Sequence, residues 1–178
     1  MFAVVTVRFN NETLEANYTY RMKHGYKCIY CSPLELSSKI PYDKPVFVIE
    51  MNNSTNKIEG IGLIKNKPET NKYYKVHTDG NNNRFIYIGD YFITRETINN
   101  IDPLLVYILD DILFKGKTHS KRGQGLSLIP EKILKFDICQ RMDLKKNIRN
   151  VFVNSFREKN DKDNNFIDCE NVKTIELI

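Results

Sequence analysis

Apolar positions change their spacing several times along this chain, and each change marks an element. Residues 2–9 are dominated by β-branched and aromatic side chains and predict a strand. The same stretch has neither a basic leader nor a cleavage site, so it reads as structure and not as a secretion signal. Residues 13–20 predict a second strand, which makes Asn10-Asn11 the turn of an N-terminal hairpin within residues 1–25. A short strand over residues 27–30 is stopped by Ser32-Pro33. One helical turn over residues 34–40 follows, before Pro41 and Pro45 reset the chain. Residues 46–51 are almost continuously apolar, as expected of a strand covered on both faces. After the polar turn 52–56, residues 57–65 alternate and place Ile58, Gly60, Gly62 and Ile64 on one face. Paired glycines on a strand face mark close approach to the backbone, by a ligand or by another part of the chain.

Residues 66–83 predict a polar surface loop around Tyr73-Tyr74, and residues 84–89 and 91–93 are strands flanking Gly89-Asp90. The period then becomes helical. Asp102 caps a helix that begins at Pro103, with Leu105, Ile108, Leu109 and Ile112 as its apolar stripe and Asp110-Asp111 toward its wet side. A second helix starts near Pro130, and a third covers residues 144–156. The acidic remainder, 158–178, reads as a mobile tail. The class is α+β in a single domain: a small mixed β-barrel or bent sheet over 27–95, packed with helices and a loop over 102–157.

A chain of 178 residues buries roughly 70% of its unfolded surface and needs no metal or disulfide staple. No apolar run approaches the roughly 18 residues of a membrane span. The expected setting is intracellular, with the four cysteines reduced. Twenty Asn, 20 Ile and 19 Lys against 2 Ala and no Trp look like codon usage in an AT-rich genome. The net charge of +5 is uneven, because Lys115, Lys117, Lys121 and Arg122 carry four of those charges within eight residues. A focused patch of this kind attracts polyanions. Lys115, Lys117, His119, Lys121, Arg122 and Gln124 are therefore the candidate contacts to nucleic acid, with neighbouring glycines exposing backbone N–H groups. The bland alternative is a solvated loop.

Other chemistries fit less well. Gly116-Lys117-Thr118 lacks the upstream glycine of a phosphate-binding loop, since position 111 is Asp111. Cys28 and Cys31 with His24 lack a nearby fourth zinc ligand. A nuclease could use Asp110, Asp111 and His119, but adjacent aspartates point to different sides of a helix. No cofactor and no metal are expected.

The segment Val46-Phe47-Val48-Ile49-Glu50-Met51-Asn52-Asn53-Ser54-Thr55-Asn56-Lys57-Ile58-Glu59-Gly60-Ile61-Gly62 resembles the strand–turn–strand of YTH and EVE domains, and Ile29-Tyr30-Cys31-Ser32-Pro33 is similar to their first strand and Ser turn. The order of elements over 27–95 is similar to the PUA-like superfamily. The wider pattern, with Lys-Gly-Lys-x-His-x-Lys-Arg, resembles a family of proteins from nucleocytoplasmic large DNA viruses, which implies host cytoplasm or virion as the setting. The resemblance implies a small barrel that binds RNA or DNA, often through a modified base, with Tyr30, Ser32, Pro33, Asn52, Asn53, Gly60 and Gly62 forming the nucleotide pocket. YTH domains use a tryptophan cage; this chain has no Trp, so Tyr or Phe would take its place. The leading expectation is a nucleic-acid-binding protein that reads a modified or unpaired nucleotide. The alternatives are a viral assembly protein that meets the genome or an acidic partner nonspecifically, and a nucleic-acid-acting enzyme.

Overall fold

A computed structural model describes residues 2–162, with side chains through residue 157. Among the described residues seven strands and six α-helices follow in the order β1 (Ala3–Phe9), α1 (Asn11–His24), β2 (Cys28–Ser32), β3 (Pro45–Asn52), β4 (Lys57–Lys65), β5 (Phe85–Gly89), β6 (Tyr91–Thr94), α2 (Arg95–Ile101), α3 (Pro103–Phe114), β7 (Ser127–Leu128), α4 (Glu131–Leu134), α5 (Asp137–Arg141) and α6 (Leu144–Lys162). A short 3₁₀ turn, Gly80–Asn83, precedes β5. The class is α+β. Five strands form a mixed sheet in the order β6-β4-β3-β1-β7, open at both edges, and β2 pairs with β5 in a separate two-stranded sheet. Of the small barrel and the bent sheet expected over 27–95, the barrel does not form, and the sheet draws β1 and β7 from outside those bounds while β2 and β5 pair apart from it.

The N-terminal hairpin is corrected. β1 runs parallel to β3, with Val5 opposite Val48, and residues 11–24 are helix instead of strand. Asn10 explains the helix start, because its side chain accepts the Thr13 N–H while Thr13 Oγ1 accepts the Asn10 N–H. Its inward positions are Leu14, Asn17 and Arg21. Two of the three are polar, so the chain carries no apolar stripe to announce it. The helical turn expected over 34–40 is also absent; those residues form bends and turns. Ile58 changes face as well. A register shift between Glu50 and Met51 pairs Met51 with Ile58 and Glu50 with Gly60, leaving Gly60, Gly62 and Ile64 on one face and Ile58 on the other. The strands around Gly89-Asp90 join different sheets, since β5 pairs with β2 and β6 with β4.

Each face of the five-stranded sheet has its own core. Phe47, Ile49, Met51, Ile58 and Ile61 pack against Leu105, Leu109 and Leu113 of α3 and Ile148 and Phe152 of α6. The stripe read for α3 is buried as expected, and Asp102 accepts the Leu105 N–H at its start. The opposite face, with Val5, Val7, Val46 and Val48, meets Leu14 of α1, Cys28 and Tyr30 of β2 and Tyr87 of β5. A third, smaller cluster covers the outside of the two-stranded sheet, where Tyr74 and Val76 of the 66–84 loop pack on Ile29, Cys31 and Ile86. The tail assigned to 158–178 lies largely outside the described residues; α6 continues to Lys162. Among the described residues no helix is long and apolar enough to cross a membrane.

Candidate functional site

β1 and β3 are parallel and end side by side at Phe9 and Asn52. At this end of a sheet the connecting loops converge and ligands are commonly held. Three segments meet here. The Asn11 N–H donates to Ser54 Oγ at 3.1 Å and Asn52 Nδ2 donates to Asn11 Oδ1 at 3.0 Å, joining the start of α1 to the β3–β4 turn. Asn53 Nδ2 then donates to the Lys121 carbonyl at 3.1 Å, which ties that turn to the basic segment.

The basic segment leaves α3 after Phe114 and is fastened from below. Arg8 of β1 reaches up with its whole guanidinium: Nε donates to the Ser120 carbonyl, Nη1 to the Gly125 carbonyl at 3.4 Å and to Ser127 Oγ at 3.3 Å, and Nη2 to Thr6 Oγ1 at 3.1 Å. The Ser120 N–H returns to the Leu113 carbonyl at 2.8 Å. Gly125 lies at φ 56°, and a Cβ there would overlap Ser32 Oγ, so the Ser32-Pro33 turn is packed directly against the end of the loop. What remains outside is cationic. Lys117, Arg122 and Gln124 are exposed, and Lys121 and His119 are half-buried. His119 Nδ1 accepts the Lys121 N–H at 3.3 Å, which folds the segment on itself. Lys115 stands apart from this group, because its ammonium is 2.9 Å from Asp111 and lies over the Tyr107 ring.

The residues assigned to a nucleotide pocket divide among three settings. Ser32 and Pro33 cover Gly125, and Asn52 and Asn53 knit the strand ends together. Tyr30, Gly60 and Gly62 belong instead to a buried ionic cluster on the inner face. There Glu50 of β3, fully buried, forms an ion pair with Arg21 and accepts the Tyr30 hydroxyl at 2.8 Å and the Tyr18 hydroxyl at 3.0 Å. The Arg21 guanidinium lies 5.0 Å from the Tyr18 and Phe92 ring centroids and 5.4 Å from that of Tyr30. Gly62 is the recess for this arrangement, since a Cβ there would overlap the Tyr30 hydroxyl. Burial and the Glu50 charge hold both phenols well above the usual tyrosine range. The aromatic box of this protein is thus filled by its own arginine.

Sequence reasoning missed Arg8, Arg21 and Glu50. Glu50 carried a readable signal, because a carboxylate inside the apolar run 46–51 must find a partner when that strand is buried on both faces. The nuclease carboxylates are otherwise engaged: Asp110 takes Arg95 in a two-point contact at 3.0 and 2.6 Å and accepts the Ile58 N–H at 2.8 Å. Cys28 and Cys31 belong to different hydrophobic clusters of the two-stranded sheet. Among the described residues no three His, Cys, Asp or Glu side chains are grouped to hold a metal. Comparison with known proteins gave no significant match to a family model, a curated protein or a solved structure.

Proposed function

We propose that this protein binds nucleic acid by gripping the phosphate backbone of an unpaired stretch with the loop at the C-terminal end of β1 and β3. One observation carries the reading. Lys117, Lys121 and Arg122 project from a segment whose carbonyls at Ser120, Lys121 and Gly125 are held by Arg8 and Asn53. A loop ordered before its ligand arrives loses less entropy on binding, so its charges act at fuller strength. The ring box around Arg21 lends no support to a modified-base cage, and the proposal stays with backbone recognition.

The test is a salt titration. Replacing Lys117, Lys121 and Arg122 together by Ala should flatten the slope of log K against log salt by about 2 to 3, roughly 0.7–0.9 per lost phosphate contact. Thermal stability should hardly move, because Lys117 and Arg122 are exposed and the loop is held through the Ser120, Lys121 and Gly125 carbonyls, which alanine leaves in place. An unchanged slope removes the loop from the interface. Displacement of the oligonucleotide by polyglutamate at equal charge concentration would favour an acidic protein partner instead.

A further inference from the structure

We propose that the same strand of nucleic acid continues into a second site, a groove between α1 and residues 73–76 that stacks an unpaired base and neutralises the phosphates beside it. This rests on the nucleic-acid reading above. The groove has a volume of about 470 Å³, within the size range of small-ligand sites. Tyr20, Lys23, His24, Tyr73 and Lys75 line it, and its walls contain no carboxylate. Of the carboxylates around it, that of Asp79 is engaged by the Asn81 N–H at 3.0 Å and Asn82 Nδ2 at 2.9 Å, and Glu15 lies on α1 in the adjoining groove beside Thr19 and Lys23.

The floor of the groove is ordered. Tyr20 lies against His24 with centroids 4.2 Å apart and planes tilted by 33°, and is within 8° of parallel to Tyr26 at 6.4 Å. Lys72 stands 4.9 Å over the Tyr74 ring, and its ammonium donates to the Tyr26 hydroxyl at 3.4 Å. Buried Asn83 fixes the loop from inside: its Oδ1 accepts the Val76 and His77 N–H groups, and its Nδ2 donates to the His77 and Asp79 carbonyls. Against this fixed background Tyr73 is 69% exposed. A large ring standing in solvent beside lysines is the arrangement by which proteins hold single-stranded nucleic acid, because every base has a face that stacks. Bases in a duplex already stack on one another and offer no such face.

Groove and loop are joined through the end of β1. The His77 ring lies 6.5 Å from the ring of Phe9. The Phe9 carbonyl accepts the Asn53 N–H at 2.7 Å, and the Asn53 side chain holds Lys121. The proposed path of the strand runs from Arg122 over this junction toward Lys75 and Tyr73.

The experiment compares an oligothymidylate of about twelve nucleotides, within the usual span of single-strand sites, with an abasic oligomer of equal length and charge. Wild-type protein should prefer the thymidylate by about tenfold, the effect of stacking one base. Tyr73→Ala should abolish that preference while leaving abasic affinity and thermal stability unchanged, and Tyr73→Phe should keep it. The Lys117, Lys121, Arg122 triple variant should weaken binding of both oligomers. If wild type and Tyr73→Ala discriminate equally, the groove is not a base site and the loop reading stands. If wild type binds neither oligomer, the nucleic-acid reading itself fails and the groove falls with it.

Discussion

A methyl group at Gly62 would collide with the Tyr30 hydroxyl, which is itself fixed on buried Glu50. Gly62→Ala should therefore cost about 1–3 kcal/mol, as overpacking does in a closed core. Tyr30→Phe alone gives up a hydrogen bond to a charged acceptor, about 1.5–3 kcal/mol. Because the clash and the hydroxyl are one feature, the double variant should lose less than the sum of the two, measured by urea denaturation. Strict additivity would show that Gly62 and Tyr30 do not compete for the same space. The glycines at 60 and 62 were legible in the sequence as a place of close approach. What approaches was not, because Tyr30 and Phe92 come from strands some thirty residues away on either side. Breaking the Arg21–Glu50 pair from one side would strand a buried charge, so these residues constrain each other far more than their separation in sequence suggests.

Among the elements, the basic loop shows most clearly how a visible feature can depend on an invisible one. Its charge was plain in the sequence, whereas its anchor, Arg8, lies more than a hundred residues upstream in an ordinary-looking strand. Arg8→Met keeps the apolar stem of the side chain and removes every donor. The expected result is a loop released from Ser120 and Gly125, with trypsin cleavage after Lys117, Lys121 or Arg122 accelerated about tenfold while the far-ultraviolet spectrum is unchanged; a local opening free energy lowered by about 1.4 kcal/mol gives that factor. Cleavage at the wild-type rate would mean that Asn53 and the Ser120 N–H suffice. The helices α3 and α6 were legible because each buries an apolar stripe. α1 was not, because its buried side is Asn17 and Arg21, whose partners are the Ile29 carbonyl and Glu50. The register shift at Glu50/Met51 was equally hidden, since it depends on how two strands pair.

The molecule as a whole should be sensitive to alkali. Burial pushes the Cys28 and Cys31 thiols up to about 12, against roughly 8.5 in an unfolded chain. Above pH 8.5 the unfolded state releases protons that the folded state keeps, so stability falls as pH rises. The loss is about 1.4 kcal/mol per pH unit for each thiol until pH passes their folded values, and Tyr18 and Tyr30 add to it above about pH 10. Below about pH 7 these groups contribute almost no slope. Urea midpoints between pH 7 and 11 read this directly, and Cys31→Val should reduce the slope above pH 8.5. A flat profile to pH 10 would show that the thiols are not held protonated by the fold.

The position of β1 also has a kinetic consequence. Among the described strands it precedes the others in the chain, yet it sits inside the sheet, between β3, some forty residues later, and β7, which comes at 127–128. Ordering it means closing both long loops, and non-local pairings of this kind place folding in roughly the millisecond-to-second range. On a ribosome, the Arg8 latch waits until Gly125 and Ser127, more than a hundred residues further on, have emerged and can receive its guanidinium.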